Sequence, residues 1–367
     1  MHATEKQRSN TRILLAPLDW GLGHATRCIP VIYELLAQGA DVWLAGEGAQ
    51  EALLRRQFPG LRWLPLAGYR MRYGRTRAGM LKNIFLQLPR MLRAIKNEQE
   101  WLRQAVADYQ FHAVISDNRF GLYHPNIPTV FITHQLQIRS PFGSWGERTL
   151  QKNNYGYINR FSQVWVPDHA GANSIAGKLS HPDKLPATPV KYIGTLSRLK
   201  RTGIAEKKKH LFISLSGPEP QRSMLENKII REVSHYNGTA TIVRGLPDIN
   251  SIIPSTNDLH FYNHLDTEAY AKEMERAEYV IARSGYSTVM DLVTMKKKSI
   301  LIPTPGQTEQ EYLAKYLEQK GVACTMSQKD FNLNAALGLA GAFEYRLPES
   351  EAPGLLKENV AALLQSL

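Results

Sequence analysis

Short apolar runs alternate with amphipathic stretches along most of the chain. Each run in the first half is bounded by turn residues and has the length of a strand buried on both faces. Between the first two runs, Cys28, Ile32 and Leu35 recur at helical spacing, and Gly39 follows at the position of a helix C-terminal cap. Strand–helix–strand units with short links predict a parallel, doubly wound α/β sheet. The predicted strands are Ile13–Leu18, Val42–Ala45, Ala113–Ser116, Thr129–Thr133 and Val164–Val166.

A second series of the same kind follows the polar, basic stretch Ser197–His210. We therefore expect two Rossmann-like domains, 1–196 and 197–345, and a final segment, 346–367, whose part Gly354–Leu367 is an amphipathic helix. Two such domains leave a cleft between the carboxyl ends of their strands, where doubly wound folds bind ligands. The predicted elements of the second series are strands Leu211–Leu215, Thr241–Val243, Tyr279–Ala282, Ser299–Ile302 and Val322–Cys324, and helices Ser223–Val233 and Asp266–Arg276.

Composition narrows the class of protein. Only two cysteines, Cys28 and Cys324, occur in 367 residues, so neither a disulfide framework nor a thiolate metal cluster is predicted. No apolar run approaches the roughly 18 residues that span a bilayer, and the polar stretch Met1–Asn10 is unlike a secretory signal. A cytoplasmic location fits these features.

A net charge of +12 predicts an anionic partner, and much of the charge lies between Arg70 and Arg103. This basic segment carries nine lysines and arginines against two glutamates, interleaved with large apolar residues. One interpretation is a helix lying on an anionic membrane surface, and the other is the solvated face of a helix that covers a domain core. Nucleic acid is not predicted, because no recognised nucleic-acid-binding motif accompanies the charge.

The first strand runs into a glycine-rich turn, Gly21-Leu22-Gly23-His24, and then into a helix. The glycines allow a charged ligand to approach the backbone N–H groups of the helix N-terminus. His24 would lie at the mouth of the cleft, with a pKa suited to proton transfer near neutrality, or it would merely cap its helix. Asp117 ends another predicted strand, so a parallel sheet places it on the same edge as His24. The two would form a His–Asp pair.

The same turn has a second interpretation, as half of a dinucleotide-binding fingerprint with Glu47 as the ribose acid. Thr26 stands where the third glycine of that fingerprint belongs, which argues against a nicotinamide cofactor. No other cofactor is predicted. The absence of an Asp-x-Asp motif in the sequence predicts no requirement for a diphosphate-bound metal ion.

The second domain holds three strand-to-helix turns that could face a ligand. One contains Ser216-Gly217, the next Ser284-Gly285, and the third begins after Pro303. Each also has a structural alternative, since Thr288 with Asp291, and Thr308 with Glu311, match capping boxes that need no ligand.

Taken together, the order and spacing of these motifs resemble the MurG-like branch of the GT-B glycosyltransferases, family 28 in type. The resemblance extends from about Arg12 to Ala323 and is strongest in Arg283-Ser284-Gly285-x-x-Thr288-x-x-Asp291, followed by Pro303 and Gln310. It implies a GT-B fold with the nucleotide-sugar donor on the second domain and the acceptor on the first. It also implies that the final helix crosses back onto the first domain.

The resemblance further implies a role for each motif. Ser216 and Gly217 would face the diphosphate, Leu265 the base, Asp291 the ribose, and Gln310 with Glu311 the sugar. The implied donor-binding set is Ser216, Gly217, Leu265, Arg283, Ser284, Gly285, Thr288, Asp291, Gln310 and Glu311, and the acceptor-side set is Gly21, Gly23, His134 and Gln135.

The expected activity is inverting transfer of a sugar from a UDP-sugar, such as UDP-N-acetylglucosamine, to a hydroxyl of a lipid-linked or cell-envelope acceptor. His24 would be the general base, and the protein would work on the inner face of the cytoplasmic membrane. Two departures from the family pattern bear on the donor: Asp291 replaces a glutamate, and Glu311 replaces a second glutamine. Two alternatives remain. The stretch around His24 also resembles a nucleotide-sugar hydrolase of the same fold, and a non-catalytic nucleotide-sugar sensor would bind the donor without turnover.

Overall fold

The strands of the chain form two separate parallel sheets. A computed structural model describes residues 11–70, 77–139, 143–247, 249–348 and 354–367, without the side chains of 77–86, 144 and 145. The first sheet has the order β3-β2-β1-β4-β5-β6-β7 and the second has the order β10-β9-β8-β11-β12-β13. All the pairings are parallel, so the predicted class, two doubly wound α/β sheets, is confirmed.

The first sheet and its helices lie between Arg12 and Tyr192. Its strands are β1 (Arg12–Pro17), β2 (Asp41–Gly46), β3 (Arg62–Pro65), β4 (Ala113–Asp117), β5 (Thr129–Ile132), β6 (Gln163–Val166) and β7 (Val190–Tyr192), and its helices are α1 (Leu22–Ala37), α2 (Gly48–Gln57), α3 (Arg77–Tyr109) and α4 (Gly143–Ile158). The predicted cap of α1 is present: Gly39 has φ +90°, and the N–H groups of Gly39 and Ala40 donate to Leu36 and Leu35.

The second sheet and the remaining helices follow residue 206. Its strands are β8 (Lys207–Ser214), β9 (Thr239–Val243), β10 (Leu259–Tyr262), β11 (Ala277–Ala282), β12 (Ser299–Leu301) and β13 (Cys324–Thr325), and the helices are α5 (Gln221–Val233), α6 (Thr267–Arg276), α7 (Tyr286–Thr294), α8 (Thr308–Gln319), α9 (Leu333–Ala342) and α10 (Leu355–Gln365). Asp266, predicted as the start of a helix, is the N-cap of α6 and accepts from the N–H of Ala269.

The strand predictions differ from the structure mainly at the sheet edges. Sequence periodicity missed β3, β7 and β10, which all lie at edges and carry half-exposed residues in place of a continuous apolar run. The predicted strand Val322–Cys324 was shifted. Val322 still belongs to the turn after α8, where its N–H donates to Leu317, and pairing with β12 begins at Cys324.

The two sheets share one apolar interface, in which Ala25 and Cys28 of α1 belong to the same buried cluster as Tyr286 and Met290 of α7. Helix α10 packs on α1, with Val360 and Leu363 buried and the Gln38 amide donating to the Lys357 carbonyl at 2.9 Å. The break between the sheets falls in residues 193–206. The domain limits 1–196, 197–345 and 346–367 stay a prediction, and residues 1–10 and 349–353 lie outside the described part.

The basic segment Arg70–Arg103 lies largely on α3. Residues 71–76 of this segment lie outside the described residues, as do the side chains of 77–86. Farther along, Ile95 and Leu102 are buried over the first sheet, as the core-covering interpretation expects. Two turns and one turn before Ile95, Leu88 and Leu92 are 43% and 45% exposed. Among the described residues, no helix is long and apolar enough to cross a bilayer.

Candidate active site

His24 and Asp117 meet at the carboxyl edge of the first sheet. Strands β1 and β4 pair in register, with Pro17 opposite Asp117, and α1 begins shortly after β1. His24, in the first turn of α1, thereby places its Nδ1 at 3.1 Å from Asp117 Oδ1. The Asp117 side chain is fully buried, whereas that of His24 retains 15% exposure. The contact expected from the parallel sheet is therefore present.

Arg27 completes this pair and was missed as a site residue. Its Nε donates to Asp117 Oδ2 at 2.7 Å, and its Nη2 contacts Oδ1, so the guanidinium holds both carboxylate oxygens. Arg27 is 2% exposed. Its signal in the sequence was its spacing, since a residue three positions after His24 shares the same face of a helix.

These charges decide the state of the imidazole. Burial and the neighbouring Arg27 lower the pKa of His24, against the opposing pull of Asp117. Burial would raise the pKa of Asp117, but Arg27 and His24 outweigh it and hold that pKa well below its usual range. His24 Nδ1 lies 3.1 Å from Asp117 Oδ1 and 3.0 Å from Arg27 Nη2. Because Arg27 already donates to both oxygens of Asp117, we assign the proton of the neutral imidazole to Nδ1, facing the carboxylate. The lone pair is then on Nε2, which bonds to nothing in the described part of the chain.

His134 and Gln135, predicted on the acceptor side, lie in the loop after β5 and contact the second domain. His134 Nε2 lies 2.7 Å from Glu309 Oε1, and the Gln135 amide donates to the other carboxylate oxygen. The second imidazole nitrogen, Nδ1, lies 3.2 Å from Arg27 Nη1. Glu309 was missed although it precedes Gln310 in the sequence, because nothing in the local pattern shows that α8 points at β5.

Two helix N-termini converge on the interface near these residues. Gly21 is the N-cap of α1 and Gly285 the N-cap of α7, and no side chain in the described residues caps either helix. The Ser287 hydroxyl of α7 donates to the Gly23 carbonyl of α1 at 3.0 Å. A Cβ at Gly23 would lie 2.8 Å from the same hydroxyl, so glycine allows this approach. Unpaired N–H groups and two positive dipole ends favour an anion here.

The structural alternatives for Thr288 and Thr308 were wrong. Each threonine lies inside its helix, because the N-caps are Gly285 and Gln307. Asp291 accepts a hydrogen bond from the Ser197 hydroxyl at 2.5 Å, and burial raises its pKa to about 6. Thr288 is half-buried in the first turn of α7.

Arg283 and Ser284 lie beneath the α7 turn. Arg283 is 1% exposed, and its guanidinium donates to the carbonyls of Ile302, Pro303 and Gln221 and to the Gln328 side chain. It therefore holds three loops of the second sheet together, and burial lowers its pKa to about 10. The Ser284 hydroxyl donates to the Gln310 carbonyl at 2.8 Å. The hydrogen bonds of both residues therefore stabilise the turn at the start of α7.

The other predicted donor residues surround the same edge of the second sheet. Ser216 and Gly217, with φ +104° at Gly217, form the turn between β8 and α5, and Leu265 precedes α6. The Gln310 side chain accepts from the Thr304 N–H at 2.9 Å, and Glu311 accepts from the Gly306 N–H at 2.9 Å. These two side chains therefore order the loop before α8.

Two further features lie apart from His24. Glu47, the ribose acid of the dinucleotide alternative, forms an ion pair with Arg70 at 2.6 Å and so holds the loop after β3. A cavity in the described residues lies between α8 and the 171–181 segment and does not include His24. We therefore identify the site by converging polar groups and helix ends, which can act on a substrate, and not by cavity size.

Comparison with known proteins shows which glycosyltransferases the chain is similar to. Residues 251–342 match the glycosyltransferase family 28 C-terminal domain. An uncharacterized glycosyltransferase of Methanosarcina mazei is 23% identical over 342 residues, which cover 86% of each chain. A UDP-N-acetylglucosamine–N-acetylmuramyl-(pentapeptide) pyrophosphoryl-undecaprenol N-acetylglucosamine transferase of Haemophilus ducreyi is 23% identical over 326 residues, covering 86% of this chain and 85% of that protein. The chain is therefore similar to the MurG-like glycosyltransferases of family 28, and the resemblance inferred from its motifs is confirmed.

Solved structures agree on the fold. MurG of Acinetobacter baumannii superposes with a TM-score of 0.56 at 15% identity, covering 97% of this chain and 99% of its own. The glycosyltransferase SnogD of Streptomyces nogalater gives a TM-score of 0.61 at 14% identity, over 98% of this chain and 100% of its own. The predicted GT-B fold of this MurG-like glycosyltransferase is confirmed.

Proposed function

We propose that this MurG-like glycosyltransferase moves a sugar from a UDP-sugar to a hydroxyl of a lipid-linked, cell-envelope acceptor with inversion at the anomeric carbon. The observation that carries the proposal is the buried His24–Asp117 contact at the interface of the two domains. The donor and acceptor classes follow the relative of Haemophilus ducreyi, whose name specifies UDP-N-acetylglucosamine and an undecaprenol-linked acceptor. UDP-N-acetylglucosamine is therefore the first donor to test.

In the proposed reaction, His24 Nε2 takes the proton of the acceptor hydroxyl as its oxygen attacks the anomeric carbon. The bond from that carbon to the β-phosphate oxygen breaks, and UDP leaves. Asp117 accepts the hydrogen bond from Nδ1 and stabilises the imidazolium that forms. One base and one displacement invert the anomeric centre.

The leaving diphosphate would lie at the N-terminus of α7, where the N–H groups after Gly285 bear no capping side chain in the described residues. Such preoriented donors can contribute about 3 kcal/mol each to the transition state. Asp291 would hold the ribose and Gln310 the sugar. We propose that no metal ion takes part.

The test is donor turnover in the presence of a chelator. Purified protein is incubated with uridine, guanosine and thymidine diphosphate sugars, with and without membrane lipid extract. Release of UDP that requires the extract, with sugar entering the lipid fraction, supports the proposal. Free sugar released at the same rate without extract would identify the hydrolase instead, and donor binding without any turnover would identify the sensor.

The pH dependence of this reaction should reflect His24. The base must be unprotonated, so kcat rises as pH rises through the pKa of His24. Because burial and Arg27 lower that pKa, we expect the acidic limb below the ordinary value of 6.5. Donor binding should be measured over the same range, since Asp291, with a pKa of about 6, would affect KM. A kcat limb centred above 6.5 would contradict the prediction.

The protein would work at the inner face of the cytoplasmic membrane, with α3 on the lipid. Arg90 and Arg93 are exposed beside Leu88 and Leu92, an arrangement that suits an anionic interface. Serine at both leucines should weaken binding to anionic vesicles by at least about tenfold in a flotation assay. The matched control is Leu339→Ser on α9, where the leucine is 51% exposed. Equal binding by the double variant and the wild type would contradict this orientation.

A further inference from the structure

A chain of hydrogen bonds joins the second domain to His24. It starts at Glu309 in the first turn of α8, whose carboxylate contacts His134 Nε2 at 2.7 Å. From His134 Nδ1 the chain continues to Arg27, at 3.2 Å, and from Arg27 to both oxygens of Asp117. It ends at His24 Nδ1, 3.1 Å from Asp117.

The hydrogen-bond partners along this chain indicate which nitrogen of each histidine carries the proton. His134 donates from Nε2 to the Glu309 carboxylate, which leaves Nδ1 as the acceptor for Arg27. Arg27 then donates to Asp117, and His24 donates from Nδ1 to the same carboxylate. In the other tautomer of His134, the Nδ1 proton would point at the guanidinium and the Nε2 lone pair at the Glu309 carboxylate. Both contacts would be unfavourable. The contact with Glu309 therefore selects the His134 tautomer that accepts from Arg27, and so helps to orient the guanidinium that holds Asp117 and lies 3.0 Å from His24 Nδ1.

The second domain also fixes His134 through packing. The His134 ring stacks on Tyr286 of α7, with centroids 4.1 Å apart and planes at 10°. The Tyr286 hydroxyl donates to the Pro167 carbonyl of the first domain at 2.7 Å. His134 is 5% exposed, so its orientation depends on α7 and α8 being in place.

We propose that Glu309 is a positioning residue, which acts through His134 and Arg27 to align His24 only when the two domains are in contact. The inference rests on the proposed role of His24 as the base. It gives the enzyme a means of confining proton abstraction to the closed state. In an open state His134 would lose both the Glu309 carboxylate and the Tyr286 ring, the two contacts that orient it toward Arg27.

The charged residues of this chain also interact electrostatically. The groups that face this cluster are Arg27 and Cys28 on α1, Asp117 on β4, His134 after β5, Tyr286 on α7 and Glu309 on α8. Burial raises the pKa of Glu309, but His134, Arg27 and His24 lower it further than burial raises it. Because the interaction is mutual, the Glu309 carboxylate favours the charged form of His24. Its removal should lower the pKa of His24.

The first test measures that charge coupling without any substrate. Full-length protein labelled with ¹³C at the histidine Cε1 positions is titrated by NMR, and signals are assigned with His24→Gln and His134→Gln. We expect Glu309→Gln to move the titration of His24 to lower pH. The control is Glu318→Gln, at the far end of α8, whose carboxylate accepts hydrogen bonds from the N–H and the hydroxyl of Thr325. A His24 titration that Glu309→Gln leaves unmoved would overturn the proposal.

The second test measures the alignment. Glu309→Ala should lower kcat by up to about 10²-fold, the cost of a misplaced catalytic group, with little change in donor KM. In Glu309→Gln, the acidic limb of kcat should move to lower pH, together with the NMR titration of His24. Wild-type kcat in Glu309→Ala would overturn the proposal. If the wild type turns over no nucleotide sugar, the proposed function fails, while the NMR titration still decides whether Glu309 is coupled to His24.

Discussion

His24→Ala should lower the rate of sugar transfer by about 10²–10⁴-fold while leaving donor affinity nearly intact. The variant removes the only atom assigned to accept the acceptor proton, Nε2, and leaves the α7 turn unchanged. His24 is 15% exposed at the interface, so its truncation opens little of the core. The rate is measured as UDP release with saturating acceptor, and the affinity by calorimetric titration with UDP.

The control for this prediction is His112→Ala, which truncates an exposed histidine ahead of β4, remote from the cleft. Its transfer rate should match that of the wild type. Full transfer activity in His24→Ala would remove His24 from the mechanism. A large loss of UDP affinity in the same variant would assign His24 to donor binding instead.

Arg27→Met should lower the free energy of unfolding by about 3–5 kcal/mol, the usual cost of leaving one partner of a buried ion pair uncompensated. Asp117 is fully buried and Arg27 is 2% exposed, so water cannot replace the lost guanidinium. The measurement is urea unfolding followed by circular dichroism. The same variant should lose transfer activity, because Asp117 would no longer be held against His24.

A second substitution shows how much of this loss comes from the uncompensated charge of Asp117 and how much from the changed shape of the Arg27 side chain. The double variant Arg27→Met with Asp117→Asn leaves neither charge of this ion pair in the core. Part of the lost free energy of unfolding should therefore return. The control is Arg55→Met, in an exposed pair with Glu51, where little change is expected. An Arg27→Met protein as stable as the wild type would show that Asp117 is neutral or hydrated in the fold.

The amphipathic pattern predicted the central strands and most helices, because it records burial, and central elements are buried on predictable faces. It missed the edge strands β3, β7 and β10, whose side chains are half-exposed. Motif spacing located His24, Asp117 and the turn at Gly285. It could not show that Arg283 is buried and donates to backbone carbonyls, because a buried arginine that binds carbonyls has the same local sequence as one that binds a phosphate.

By itself, the sequence determined the two parallel sheets, the resemblance to family 28 and the edge on which His24 and Asp117 lie, since hydrophobic periodicity, short links and motif spacing can be read along the chain. Tertiary structure alone decided that Arg27 holds Asp117, and that Glu309 reaches His134 from 175 residues away. The physical reason is that a charged side chain has no periodic signature of its own. Its partner is set by which strand ends and helix ends the fold brings together, and for Glu309 and His134 those ends belong to different domains.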